Sequence, residues 1–168
     1  MVILDVLAAT MLFAPLCFAA INDYRHMIVP NWVSGLIALG FVIFAAAHWS
    51  MIDLQMHLVI AAVFFTIALI CWFAGWLGGG DVKLLGAVGL WLGTPYAFAF
   101  LFILAVISAV LSGILLIIRW LSERPVESVI PALRPAMRMA REGQFAYAIP
   151  IVLAALATLP RHQSLIHI

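Results

Sequence analysis

Charge is scarce in this chain: only 9% of its 168 residues are Asp, Glu, Lys or Arg, whereas 67% are hydrophobic. A soluble domain of this length cannot bury so much apolar surface, so a bilayer is the expected solvent. The formal net charge is +1 and no long basic run occurs. The electrostatic footprint of a nucleic-acid binder is therefore missing, and nucleic acid is not an expected partner. Cysteine is nearly absent too. Cys17 and Cys71 both lie inside apolar runs and form no CxxC pair, which excludes a paired-thiolate metal or redox motif and leaves them as packing residues. No Lys or Arg precedes Asp5, so the first apolar run lacks the charged start of a signal peptide and reads as a retained span.

What is present is apolar sequence in span-length pieces. The runs cover roughly residues 2–21, 32–48, 57–77, 84–94, 96–118 and 145–160, against about 20 residues needed to cross a hydrocarbon core of about 30 Å. The stretch from Leu84 to Ile118 is too long for one span, and Thr94-Pro95 offers a turn inside it, giving a short fourth helix and a longer fifth. The expected fold is an all-α membrane protein, a polytopic bundle of about six transmembrane helices in a single domain over 1–168.

Basic residues orient the bundle. Arg25, Lys83, Arg119, Arg124, Arg134, Arg138 and Arg141 fall on one side and Arg161 alone on the other, so the positive-inside rule puts both termini outside and the loops 22–31, 78–83 and 119–144 in the cytoplasm. Within 119–144, Arg134, Arg138 and Arg141 follow helical spacing beside Leu133, Met137 and Ala140, the pattern of a basic interfacial helix. Such helices commonly bind anionic lipid heads. Trp32, Trp49, Trp76, Trp91 and Trp120 near the span ends read as interfacial anchors.

Two of the few acids stand out. Asp23 closes the first apolar run and opens the loop Tyr24-Arg25-His26-Met27-Ile28-Val29-Pro30, after which Asn31 is placed to cap the second helix. Asp81 follows Gly78-Gly79-Gly80, which removes side chains beside a carboxylate and lets another backbone approach it. The second and third spans form an out-and-back hairpin, so both acids return to one face despite their separation. Two carboxylates sharing a water do not both ionise easily, which leaves one acid and one base for attack on a carbonyl. Each taken singly is an ordinary boundary residue, with Arg25 and Lys83 as available ion-pair partners; the combination points to hydrolysis. Asp53 is expected across the bilayer from Asp81.

Other chemistries are weaker. The HExxH pattern of zinc peptidases and the Gly-x-Ser-Gly of rhomboid-like enzymes are absent. His26, His48, His57, His162 and His167 are scattered over both faces, so no metal or other cofactor is called for. A small transporter or structural subunit would use Gly86, Gly89 and Gly93 for close helix packing, yet no span has an ionisable residue near its centre, where ion relays sit.

The spaced aspartates resemble those of the prepilin peptidases, membrane aspartic proteases with a GxGD motif, and especially the short branch that processes Flp-type pilins. Gly78-Gly79-Gly80-Asp81 matches that motif. Asp23 with Val29-Pro30-Asn31 is similar to the family's first aspartate and its Ile-Pro-Asn element, and Lys83 to the basic residue that follows the second aspartate. The resemblance covers roughly residues 5–118, and Tyr147-Ala148-Ile149-Pro150 is similar to a late Tyr/Pro element. It implies Asp23 and Asp81 as catalytic residues, with Gly78, Gly79, Gly80, Lys83, Arg25, Pro30 and Asn31 shaping the substrate site. It also implies a multi-pass protein of a prokaryotic inner membrane, lipids as surroundings, and a prepilin or pseudopilin substrate cut between a short basic leader and an apolar helix. Longer members also methylate the new N-terminus and carry a segment with paired cysteines that this chain lacks, so methylation is not implied. A presenilin-like GxGD peptidase is a further alternative, since Pro131-Ala132-Leu133 spells that family's PAL element, but it falls in the basic loop rather than at a span opening, and the spans are too few for that family.

Overall fold

The computed structural model describes residues 2–121 and 146–159. Helices α1 (Val2–His26), α2 (Asn31–Ala47), α3 (Leu54–Phe73), α4 (Gly79–Leu121) and α5 (Ala148–Thr158) follow in order, and no strand occurs among the described residues. α4 is bent at Gly93, whose φ of 58° and ψ of 179° leave helical geometry and divide it into limbs 79–92 and 94–121. The described residues thus form an all-α bundle of six helical segments. The turn expected at Thr94-Pro95 comes slightly earlier, because glycine alone tolerates that backbone conformation.

Three segments, Ile3–His26, Leu54–Phe73 and Tyr96–Ile118, are long and apolar enough to cross a bilayer. α2 has 17 residues and α5 has 11, or about 26 and 17 Å at roughly 1.5 Å per residue. These shorter helices pack against α1 and α4, and the chain is a multi-pass membrane protein. α4 is the central element, touching α2, α3 and α5, while α1 packs on α2 and α5. Leu12, Leu16, Ile37, Leu84, Val88 and Phe100 are fully buried between them, whereas Ile70, Phe102 and Leu116 point outward, as lipid-facing side chains do.

Small residues set how closely the helices approach. A Cβ on Gly89 would lie 2.9 Å from Ala61 Cα, one on Gly86 3.1 Å from the Phe65 ring, and one on Gly93 3.0 Å from the His57 ring. The first limb of α4 therefore lies against α3 along a glycine seam, the packing that substitutes for a hydrophobic driving force in lipid. Antiparallel α3 and α4 put Gly93 beside His57 and leave Asp81 at the opposite end, away from Asp53, whose carboxylate caps α3 by accepting from Met56 N–H at 3.2 Å.

Two local expectations are corrected. Trp91 is not an interfacial anchor: it is buried, donates its indole N–H to Ile37 O at 3.0 Å and stacks on Phe44. A bent α4 turns this end-of-limb residue toward α2. Trp32, Trp49 and Trp76 are exposed. α1 also runs past the end of the apolar stretch to His26, because Asn22 Nδ2 donates to Ile28 O at 2.6 Å and Met27, at φ 56°, closes the helix in the left-handed conformation. The expected basic helix of 119–144, the PAL tripeptide and the C-terminal tail lie outside the described residues, apart from the end of α4.

Candidate active site

Asp23 sits in the last turn of α1, one turn before the chain reverses through residues 27–30. Its carboxylate is buried, at 4% exposure. The C-terminal end of a helix disfavours a negative charge, and the compensation comes from another helix: Ala148 N–H, at the start of α5, donates to Asp23 Oδ2 at 3.1 Å. Unpaired N–H groups at a helix start are natural acceptor-seekers.

Asp81 lies in the first turn of α4 and is equally buried, at 6% exposure. Gly78 precedes the helix, its carbonyl accepts from Asp81 N–H at 3.1 Å, and its own N–H donates to Asp81 Oδ2 at 3.2 Å. That reach back from the third helical residue is half of a capping box. The second oxygen, Oδ1, is buried and has no hydrogen-bond partner among the described residues.

The glycines divide their work. A Cβ on Gly78 would come within 3.0 Å of Asp81 Oδ2, and one on Gly80 within 2.8 Å of both Val29 Cβ and Val29 O. The backbone that presses against Gly80 is thus the chain's own 27–30 turn, and at this residue there is no room left for an extended peptide. Gly79 has only an ordinary 3.6 Å neighbour, Trp72 Nε1. Gly75, at φ 77°, ends α3 and turns the chain toward the triplet.

Hairpin geometry brings the two carboxylates to one end of the bundle, close enough for the charge of Asp23 to act on Asp81. Neither is neutralised by the nearby cations. Arg25 is exposed at the end of α1, and the exposed Lys83 donates instead to Asn31 Oδ1 at 2.8 Å. Among the described residues the salt bridge found is at the other end, between Asp5 and His48. Asn31 departs from expectation: Pro30 occupies the capping position of α2 without a side-chain cap bond, and Asn31 is the first helical residue. Its amide is recruited by Lys83, so it ties α2 to α4 rather than closing its own helix. Among the described residues no group of three or more His, Cys, Asp or Glu is placed to hold a metal.

The start of α5 is the part sequence reasoning underrated. Tyr147-Ala148 lies 125 residues from Asp23 and still supplies one of its hydrogen bonds. No side-chain type announces a backbone N–H, and only the late Tyr/Pro similarity marked the segment. Tyr147 lies within electrostatic range of Asp81 and Cys71. It also lines an apolar cavity of about 220 Å³ with Cys71, Leu77, Leu85, Leu104 and Ile151.

Compared with known families, residues 10–117 match the type IV leader peptidase family. The chain belongs to the type IV leader peptidase family. The match includes both buried aspartates, the glycine triplet, Asn31 and Lys83, and it ends before Tyr147 and Ala148. At this level the leader-peptidase relationship supports a protease embedded in a membrane. No curated protein and no solved structure gives a match.

Proposed function

We propose that the whole chain is one intramembrane aspartic endopeptidase that removes the short basic leader of type IV, Flp-type prepilins at the cytoplasmic face of a prokaryotic inner membrane. The observation that carries this reading is the pairing of Asp23 with Asp81: two carboxylates from distant helices, both buried, each held by a backbone N–H and neither neutralised by a cation among the described residues. A structural role would favour a cation beside each acid. Like charges placed together share a proton instead.

In the proposed reaction one ionised carboxylate takes a proton from a water as its oxygen attacks the scissile carbonyl. The protonated partner donates to the carbonyl oxygen and stabilises the charge developing there. When the tetrahedral intermediate collapses, the C–N bond breaks and the amine leaves with a proton from the pair. No cofactor enters. Asp81 Oδ1, without a hydrogen-bond partner among the described residues, is available to accept from the attacking water. Arg25 and Lys83, exposed at the same end, fit the orientation that the positive-inside rule gives, facing anionic lipid heads.

The test is a gel-shift assay on membranes holding wild type, Asp23→Asn or Asp81→Asn at equal abundance, with a Flp-type prepilin bearing its leader. Wild type shortens the prepilin and both variants leave it intact. Full cleavage by either variant rejects the pair.

A further inference from the structure

The start of α5 lies beside the carboxylate pair. Ala148 N–H binds Asp23 Oδ2 at 3.1 Å, and the preceding residue, Tyr147, is within electrostatic range of Asp81. Tyr147 is half-buried, occupies the capping position of α5 and forms part of the wall of the 220 Å³ cavity otherwise dominated by apolar side chains. A phenol is the one side chain that combines a large apolar ring, suited to that wall, with a hydroxyl donor at its tip. Asp81, for its part, has one oxygen bound by Gly78 N–H and one buried oxygen, Oδ1, with no partner among the described residues. A buried carboxylate oxygen without a donor is costly, and a charged acceptor makes the stronger class of hydrogen bond.

We infer that Tyr147 is a positioning residue of the carboxylate pair: its hydroxyl donates to Asp81 during the catalytic cycle, holding that carboxyl in its ionised form and orientation. The inference rests on the peptidase reading. α5 then acts as a clamp, with a backbone N–H on Asp23 and a side-chain O–H on Asp81 delivered by consecutive residues. Because a helix start has fixed geometry, the two donors move together and keep the acids in register. The titratable groups within electrostatic range of Tyr147 are Asp81 from α4 and Cys71 from α3; Asp23 from α1 acts on Asp81, and Lys83 is turned to Asn31.

The experiment compares wild type, Tyr147→Phe and Tyr147→Ala, purified as the full chain in lipid bilayers, by kcat, KM and pH profile on a prepilin. Tyr147→Phe keeps the ring in the cavity wall and removes only the hydroxyl. The expected result is a kcat lowered roughly ten- to a hundredfold with KM unchanged, the size of one lost hydrogen bond to a charged group. The acid limb of its kcat profile moves to higher pH, because the ionised form has lost a donor. A Tyr147→Phe variant with wild-type kcat overturns the inference even if Tyr147→Ala is inactive, since the ring alone then suffices. A change in KM alone also overturns it. A readout independent of cleavage is the infrared band of the protonated carboxyl, assigned by its loss in Asp81→Asn. Its titration midpoint rises in Tyr147→Phe, and an unmoved midpoint rejects the role of Tyr147. Absence of cleavage by wild type instead counts against the peptidase reading, and the infrared result still decides the hydrogen bond.

Discussion

At the end of the bundle where α1 begins and α2 finishes, Asp5 lies 3.5 Å from His48 Nε2, and His57 Nδ1 meets Leu90 O at 2.6 Å. At the opposite end Asp23 and Asp81 lie in each other's field, each touched by a backbone N–H and neither, among the described residues, by a cation. Both ends bury polar groups in a protein with little charge to spend. The first sets an acid within ion-pair distance of a histidine, although Asp5 Oδ1 makes no hydrogen bond among the described residues, and bonds a ring nitrogen to a carbonyl, the contacts by which a fold disposes of polarity it needs for packing. The second sets acid beside acid, an arrangement that weakens packing and suits proton transfer. The contrast separates polar groups that hold the bundle together from those available for reaction.

The largest expected effect breaks that contrast directly. Asp81→Asn or Asp23→Asn lowers prepilin cleavage roughly a thousandfold or more, in line with removal of a general acid or base. Asp5→Asn at the other end leaves kcat within about twofold and costs about 1 kcal/mol of stability, the usual scale of one polar interaction. Equal losses in both assays would erase the distinction between the two ends.

Glycine substitutions come next. Gly80→Ala and Gly89→Ala each force a Cβ into backbone neighbours, Val29 and Ala61 respectively, and each lowers thermal stability by about 1–3 kcal/mol, as overpacking does. Only Gly80→Ala also lowers kcat, because the displaced α4 start carries Asp81 with it. A smaller effect follows His57→Leu, which removes the bond to Leu90 O and costs about 1–2 kcal/mol in a denaturation midpoint while kcat holds. Smallest is Lys83→Met: the exposed bond to Asn31 is worth less than about 1 kcal/mol, and cleavage persists.

Legibility in the sequence followed the kind of interaction involved. The first and third spans, the fifth after the bend, and the Gly78–Asp81 motif could be read directly, because apolar length and a run of glycines are local properties. Asn31 was assigned to capping α2 from its position after Pro30, and it binds Lys83, 52 residues away. Trp91 looked like an interfacial ring because it stands at the end of a limb, but the bend at Gly93 and the neighbouring α2 bury it. The glycine triplet was read as letting another backbone approach Asp81, and at Gly80 the backbone that approaches is the chain's own at Val29.

By itself the sequence determined that the chain lives in a bilayer, roughly where its helices run, and which two acids are returned to the same end. Apolar runs must be satisfied by lipid and by their own backbone hydrogen bonds, so length and alternation of spans follow from composition. Only the tertiary structure decided what surrounds those acids. The N–H of Ala148, the unpartnered Asp81 Oδ1, the nearby Tyr147 and the absence of a cation beside either carboxylate among the described residues depend on how α5 packs against α1 and α4. A backbone donor has no residue type to betray it, and the field at a buried carboxylate is set by neighbours in space rather than in sequence.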